Sequence, residues 1–211
     1  MTVYPLFVDL RGRRCVVVGG SPPAEAKVAA LLECGADVVV VSPRVTERLQ
    51  AWAAQGRVRW EARPYRTGDL EGAWLVVSAP DDREVNARVW EEAQARGVWM
   101  NAVDDPPHCS FIAPAVYRQG ALVVAVCTSG RAPALAVRLR DRFAAQLGPE
   151  YAAFLELAGE LREELARRIP EFHRRREAWY RIVDSDVLDW LRAGQQERAR
   201  QRLLQLLEEG A

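Results

Sequence analysis

The stretch Cys15-Val16-Val17-Val18-Gly19-Gly20-Ser21-Pro22-Pro23-Ala24-Glu25-Ala26-Lys27 decides how the rest of this 211-residue chain is read. Its apolar opening reads as a buried strand that turns at Gly19-Gly20-Ser21. A helix pattern follows, with Ser21 as its N-cap, Pro22 at its first position, Val28, Leu31 and Leu32 as its apolar stripe, and Gly35 as its stop. Strand, glycine turn and helix make the first half of a βαβ unit. The helix start in such a unit offers free amides and a positive dipole end to a phosphate, so the stretch predicts a Rossmann-type dinucleotide site. A G-x-G-x-x-G/A fingerprint falls here on Gly19, Ser21 and Ala24, with serine where the second glycine would admit the pyrophosphate. A capped helix behind a buried strand, with no ligand, describes the same residues.

Working outward, strands and helices keep alternating. Residues 37–41 carry a four-valine run that suits a parallel strand buried on both faces. It ends in Ser42-Pro43-Arg44, where many nicotinamide sites place an acid for the ribose hydroxyls; Arg44 suits a 2′-phosphate instead, so residue chemistry leaves NAD and NADP both open. A helix is expected over 45–55. Val58, Trp60 and Ala62 alternate with charged residues as in a half-exposed edge strand, and 74–77 is another buried strand. It runs into Ser78-Ala79-Pro80-Asp81-Asp82, where Asp81 or Asp82 caps a helix bearing Val85, Val89 and Ala93 and stopped by Gly97. Residues 98–103 form the next strand, and Tyr4 to Leu10 a short edge piece, since Pro5 fits poorly inside a sheet. This order predicts an α/β fold with a doubly wound parallel sheet, whose ligands lie beyond the carboxyl ends of the strands.

The pattern changes after Asp104. A proline-stiffened loop, Asp104-Asp105-Pro106-Pro107-His108-Cys109, leads to strands at Phe111-Ile112 and 122–126. Thr128-Ser129-Gly130-Arg131-Ala132-Pro133 is a second glycine turn before a helix over 134–147. Beyond Gly148-Pro149 the chain reads as helices at 151–168, 172–182, 187–192 and 195–209. The division expected is a Rossmann domain over 1–113, a small strand-helix region over 114–147 and an all-helical domain over 148–211.

Composition narrows the function classes. Twenty-nine basic residues balance 29 acidic ones, which argues against general nucleic-acid binding. The basic side is nearly all arginine, Lys27 being the one lysine. Cys15, Cys34, Cys109 and Cys127 show no metal-finger spacing, and no structural metal site is expected. No signal peptide or run of about 20 apolar residues is present, so the expectation is a soluble, cytoplasmic protein without membrane partners.

Several stretches together resemble one family: GRRCVVVGG (12–20), VVVVSP (38–43), APDD (79–82), NAVDDP (101–106), CSFIAPA (109–115) and VAVCTSGRAPALA (124–136). In this order and spacing they resemble the siroheme synthase amino-terminal region, the precorrin-2 dehydrogenase/sirohydrochlorin ferrochelatase family, over essentially the whole chain. The resemblance implies an NAD-binding Rossmann domain, a central dimerisation region and a helical carboxyl-terminal domain. It implies a homodimer that oxidises precorrin-2 to sirohydrochlorin with NAD. In some members it also implies insertion of ferrous iron, with ferrous or cobaltous ion then a second substrate. The methyltransferase domain of multifunctional members is expected to be absent.

Carried over by residue, the family's essential aspartate falls on Asp104. Its nucleotide contacts fall on Gly19, Gly20, Ser21, Pro22 and Pro23, on Pro43 and Arg44, and on Ala79, Pro80 and Asp81. Its substrate-facing groups fall on Asn101, Thr128, Ser129, Gly130 and Pro133. Ser21, Pro23 and Ala26 depart from the family's glycine, valine and arginine.

Oxidising a reduced macrocycle removes a hydride and a proton, so the protein must align the carbon and receive the proton. Asp104, at a strand end, is the candidate base, and Asp105 the poorer one; a loop or helix cap is the plain alternative for either. His108, in the same loop, is the candidate group for removing pyrrole protons during metal insertion, against an ordinary loop histidine. His173, beside three arginines, reads most simply as part of a solvated helix face. Arg131 and the amides of the 128–133 turn suit the carboxylates of a tetrapyrrole. A non-catalytic tetrapyrrole carrier with a degraded cofactor turn is the alternative from another class.

Overall fold

β-branched runs without polar interruption form the centre of the first unit, and the computed structural model, which describes residues 3–80 and 84–209, shows how. β1 (Arg14–Val18), β2 (Asp37–Val41), β3 (Arg59–Glu61), β4 (Leu75–Ser78) and β5 (Trp99–Ala102) make a parallel sheet in the order β3-β2-β1-β4-β5. This is the doubly wound arrangement expected from the alternation of strands and helices. Successive residues of β1 and β2 point to opposite faces, and both faces are covered. Cys15, Val17, Val38 and Val40 pack under α1 (Pro22–Glu33) and α2 (Glu47–Ala54), through Ala24, Val28, Leu31, Leu49 and Trp52. Val16, Val18, Val39, Val41 and Val76 pack under α3 (Glu84–Arg96), through Val89 and Ala93. Each fully buried valine contributes roughly 1.5–3 kcal/mol relative to exposure.

Contacts divide the chain into two units, residues 1–113 and 114–211. In the second, β6 (Ala115–Gln119) and β7 (Leu122–Val126) form an antiparallel hairpin, and α4 (Pro133–Gln146) lies on it. α5 (Pro149–Arg168), α6 (Phe172–Val183), α7 (Val187–Arg192) and α8 (Gln196–Glu209) bury Phe154, Ala158, Ile182, Val187, Leu191, Ala199, Leu203 and Leu206 among themselves. At the start of α5, Glu150 is buried and pairs with Arg192 at 3.2 Å. No described helix is long and apolar enough to cross a membrane.

Three expectations are corrected. Residues 3–10 form no strand: Pro5 brings no amide to a ladder, and Asp9 folds onto the Arg11 amide and guanidinium instead. Phe111-Ile112 is not a strand either. Ser110 occupies the edge of β5, its amide donating to Met100 O at 2.8 Å and its hydroxyl accepting from Met100 N at 2.7 Å. The partner of β7 is the unanticipated β6, whose Ala-Val-Tyr-Arg-Gln segment carries too little apolar alternation to stand out. Asp81 and Asp82, expected to cap α3, lie outside the described residues.

Candidate functional site

β1 continues through α1 to β2 on one side of the sheet, whereas β4 and β5 lie on its other side, so strand order reverses between β1 and β4. The turns that follow these two strands meet at their carboxyl ends. Gly19, at φ 120°, sits so close to the next turn that a Cβ there would lie 2.1 Å from Ala79 O. At Gly20 a Cβ would lie 2.0 Å from Arg44 O. Only glycine lets the three loops after β1, β2 and β4 close on one another. Backbone bonds tie them: Gly19 N to Val41 O (3.0 Å), Ala79 N to Val18 O (2.8 Å) and Thr46 N to Gly20 O (3.0 Å).

Ser21 occupies the N-cap of α1, yet its hydroxyl makes no capping bond. Pro23, at the second helical position, removes one of the two amides a capping hydroxyl could accept from, and the other, on Ala24, is left unused. The donor set of this turn is therefore the amides of Gly20, Ser21 and Ala24 and the Ser21 hydroxyl, none of which bonds to a described residue. Glu25, an acid in the same first turn, accepts from Thr46 Oγ1 (2.6 Å) and lies 3.4 Å from Arg48. A turn with unspent donors, at a helix N-terminus and with its acid occupied, fits a dinucleotide phosphate. The two prolines make the cradle thinner than a glycine-rich one.

Asp104 follows β5 directly. It is exposed and holds φ 56°, a left-handed conformation that costs an aspartate about 1 kcal/mol or more. The residues behind it fix this turn. Ser78 Oγ donates to Asn86 Oδ1 (2.7 Å), Asn86 Nδ2 donates to Asp105 Oδ2 (2.9 Å), and the same oxygen meets His108 Nδ1 at 2.8 Å. Ser78 and Asn86 are fully buried, so this chain of bonds runs from the sheet interior to the short 3-10 turn Pro106–His108. His108 also sets its ring edge-on to Trp90 at 6.0 Å. Cys109 lies beneath, its sulfur receiving Ala102 N at 3.2 Å, and burial pushes its thiol up from the ordinary range.

Sequence reasoning set Asp105 aside, and it is the hub of the loop. Asn86 was missed; its signal was an amide on the Asn86, Val89, Ala93 stripe of α3, a polar residue on a buried face. Asn101, expected to face substrate, is buried, and its Nδ2 donates to Phe111 O at 3.1 Å, holding the strap across β5.

The structure thus brings Gly19 to Pro23, Pro43, Arg44, Ala79, Pro80 and Asp104 to one end of one sheet; Asp81 lies outside the described residues. Thr128, Ser129, Gly130 and Arg131 belong to the second unit, in the turn between β7 and α4, and Pro133 opens α4. There Ser129 (φ 53°) and Gly130 (φ 74°) are consecutive left-handed residues. Three amides of the turn are used internally: Ser129 N on Cys127 Sγ, Arg131 N on Thr128 O and Ala132 N on Thr128 Oγ1. The Gly130 amide and the exposed Arg131 guanidinium make no hydrogen bond to a described residue. Among the described residues no three His, Cys, Asp or Glu side chains group as metal ligands.

Sheet order, reversal point and phosphate-ready turn define a nucleotide-binding α/β protein. A family model described as "Putative NAD(P)-binding" matches residues 6–115, and a second, described as "Sirohaem synthase dimerisation region", matches 150–207. The chain belongs to this NAD(P)-binding family. It is 36% identical to a siroheme synthase of Photobacterium profundum over 208 residues, 99% of this chain and 44% of that protein. It is 39% identical to a siroheme synthase of Methylobacillus flagellatus over 207 residues, 98% of this chain and 44% of that protein. The chain thus spans less than half the length of these relatives. Among solved structures it is similar to SirC, a precorrin-2 dehydrogenase, with TM-score 0.76 and 25% identity over 96% of this chain and 100% of that one. The family resemblance carried by the sequence motifs is borne out. The dimerisation model matches α5 to α8, beyond the 114–147 segment to which the resemblance assigned dimerisation.

Proposed function

We propose that the protein is an NAD-dependent precorrin-2 dehydrogenase that forms sirohydrochlorin in the cytoplasm as part of siroheme synthesis. The observation that carries this reading is Asp104: an exposed carboxylate in a left-handed conformation, braced from the sheet interior, at the strand ends that also present the nucleotide turn. Strain kept in place by its surroundings points to use. NAD, when bound, supplies the hydride acceptor. Asp104 accepts the proton that leaves the macrocycle, and the Asn86–Asp105 bond keeps its turn in position. Gly130 and Arg131 bind ring carboxylates. The whole-length similarity to SirC supports the substrate class.

The protein acts as a homodimer in this reading. Support comes from the dimerisation-region match and from the hairpin layer, where Ala136 is the only buried apolar residue while Val116, Leu135, Val137 and Phe143 stay exposed. An apolar surface left open in this way is the kind that a second copy covers. Within the second unit, 114–147 and 148–211 then serve as dimerisation and helical parts.

Metal insertion rests on His108 alone. Its Nδ1 is held by Asp105, which leaves Nε2 to receive a pyrrole proton, with ferrous or cobaltous ion as the second substrate. The carrier reading draws on the Pro22-Pro23 pair, which removes two amides from the phosphate turn.

The test is an anaerobic absorbance time course of precorrin-2 with the protein, with and without NAD, alongside Asp104→Ala and Asp104→Gly. NAD-dependent formation of sirohydrochlorin, lost in both variants, is expected. The glycine variant should keep its melting temperature, because glycine accepts φ 56° without strain. Turnover that survives in Asp104→Gly removes Asp104 from the mechanism. Tetrapyrrole binding without turnover by the unaltered protein establishes the carrier. Metal added to the product tests insertion.

A further inference from the structure

The helices of the second unit enclose a cleft that neither the nucleotide turn nor Asp104 uses. Along α5, Leu155, Gly159, Arg162 and Ala166 follow the spacing of one helical face, and along α6 Phe172, Arg176, Trp179 and Val183 do the same. These two stripes line about 810 Å³ of open space, a volume within the range of small-molecule sites. Phe154, Ala158 and Trp179 join its base to the helical core. Phe172 and Tyr180 also line it, yet they are 71% and 62% exposed, so two large rings are left in water beside an open cleft. Gly159 helps to keep it open. It lies inside α5, where glycine weakens a helix relative to any ordinary residue. No neighbour demands it, because a Cβ there would meet nothing within 4 Å. A leucine at this position would instead stand in the cleft.

Charge narrows the occupant. The lining carries three arginines, Arg162, Arg175 and Arg176, and no acid. Arg162 comes from α5 and the other two from α6, so both walls bring a guanidinium. Arg175 is fixed in place, its Nη1 donating to Ile169 O at 2.9 Å and to Pro170 O at 3.0 Å where α5 ends. An uncharged apolar ligand would take water from these groups and return no partner. A simple aliphatic acid brings one carboxylate to three guanidinium groups. A flat conjugated ring edged with several carboxylates answers the whole lining: aromatic side chains cover its face, and the planar forks take its carboxylates.

We propose that the α5–α6 cleft is a second tetrapyrrole site, which holds a polycarboxylated macrocycle of the same class as the dehydrogenase product. The ligand class rests on the proposed function, whereas the residues are separate from it. The test is titration of the full chain with uroporphyrin, a stable octacarboxylate, and with decanoate as the aliphatic acid. Precorrin-2 oxidation is measured on the same preparations. Uroporphyrin is expected to bind. In Gly159→Leu and in Arg176→Glu its dissociation constant for the cleft should rise about tenfold or more, the first by filling space and the second by repulsion. Salt should weaken the binding, because the arginines are near water. kcat/KM for precorrin-2 should stay within about twofold in both variants, and its inhibition by uroporphyrin, which reads the first unit, should not change. Gly159→Leu should melt at or above the temperature of the unaltered protein, because leucine favours a helix more than glycine does, so its loss of binding does not report misfolding. Three results overturn the inference: no uroporphyrin bound outside the precorrin-2 site, binding unmoved by both substitutions, or decanoate displacing uroporphyrin from the cleft at equal or lower concentration. Binding that responds to both substitutions in a protein without precorrin-2 turnover removes the dehydrogenase reading and keeps the site. Turnover with binding unmoved by both does the reverse.

Discussion

Gly19 and Cys15 show how much single positions carry at the strand ends and in the strand itself. Gly19 combines φ 120° with a contact that no side chain could share, 2.1 Å from a would-be Cβ to Ala79 O. Backbone is the obstacle there, so Gly19→Ala must part the turns after β1 and β4. A loss of at least ~2 kcal/mol is expected in urea unfolding, with nucleotide binding lost as well. Cys15 is buried in β1, and burial, followed by the charge of Asp37, pushes its thiol up to about 11. A folded-state value above the unfolded one means that the folded chain holds the proton longer. The associated stability is complete below about pH 9 and declines as pH rises toward 11. In the native protein at pH 8, a thiol reagent should label exposed Cys127 first and Cys15 last. Rapid native labelling of Cys15 would contradict the buried β1 assignment.

At the scale of elements, the loop from Asp104 to Cys109 is held by hydrogen bonds rather than by apolar packing. Asn86 on α3 is the middle of its chain, between the buried Ser78 hydroxyl and the Asp105 carboxylate. Asn86→Ala takes the acceptor from the buried Ser78 hydroxyl and one donor from Asp105, at a cost of roughly 1–3 kcal/mol. His108→Ala removes only the half-exposed end of the chain, and its cost should stay below about 1 kcal/mol. Chemical unfolding of the two variants orders these losses. A reversed order would show that the loop hangs from the histidine instead. The α4–α5 corner follows the same rule, with Tyr117 donating to Leu147 O and Arg192 closing on Glu150.

At the scale of the whole molecule, the two units differ in how complete they are. The first encloses apolar clusters on both faces of its sheet, and α5 to α8 enclose their own. The hairpin and α4 present half-exposed apolar residues instead, which fits a surface that a second copy completes. Sedimentation is expected to give twice the chain mass. Leu135→Asp together with Val116→Asp should shift the protein toward monomer without altering the first unit's nucleotide affinity. A dimer unchanged by both substitutions would move the interface to the 150–207 helices matched by the dimerisation model.

What the sequence determined by itself was local and periodic. Valine runs specify strands because their branched side chains fit a doubly covered sheet, and Gly35 and Gly97 stop helices where the chain must turn left-handed. Strand, turn and helix in that order leave few topologies, so the parallel sheet and its ligand-bearing end were legible from residues 15–27 outward. The motif order carried the family. Tertiary structure decided what depends on residues distant in the chain. Nothing near Asp105 in sequence marks it as a hub, because its partner Asn86 lies 19 positions away on another element. Nothing near Ser21 predicts a free hydroxyl except the prolines beside it, and nothing near Gly20 announces the Arg44 carbonyl against it. Hydrogen bonds and steric closure act through space, whereas periodicity and turn chemistry act along the chain. The elements therefore follow from neighbouring residues, while the site forms only when the ends of β1, β2, β4 and β5 are brought together.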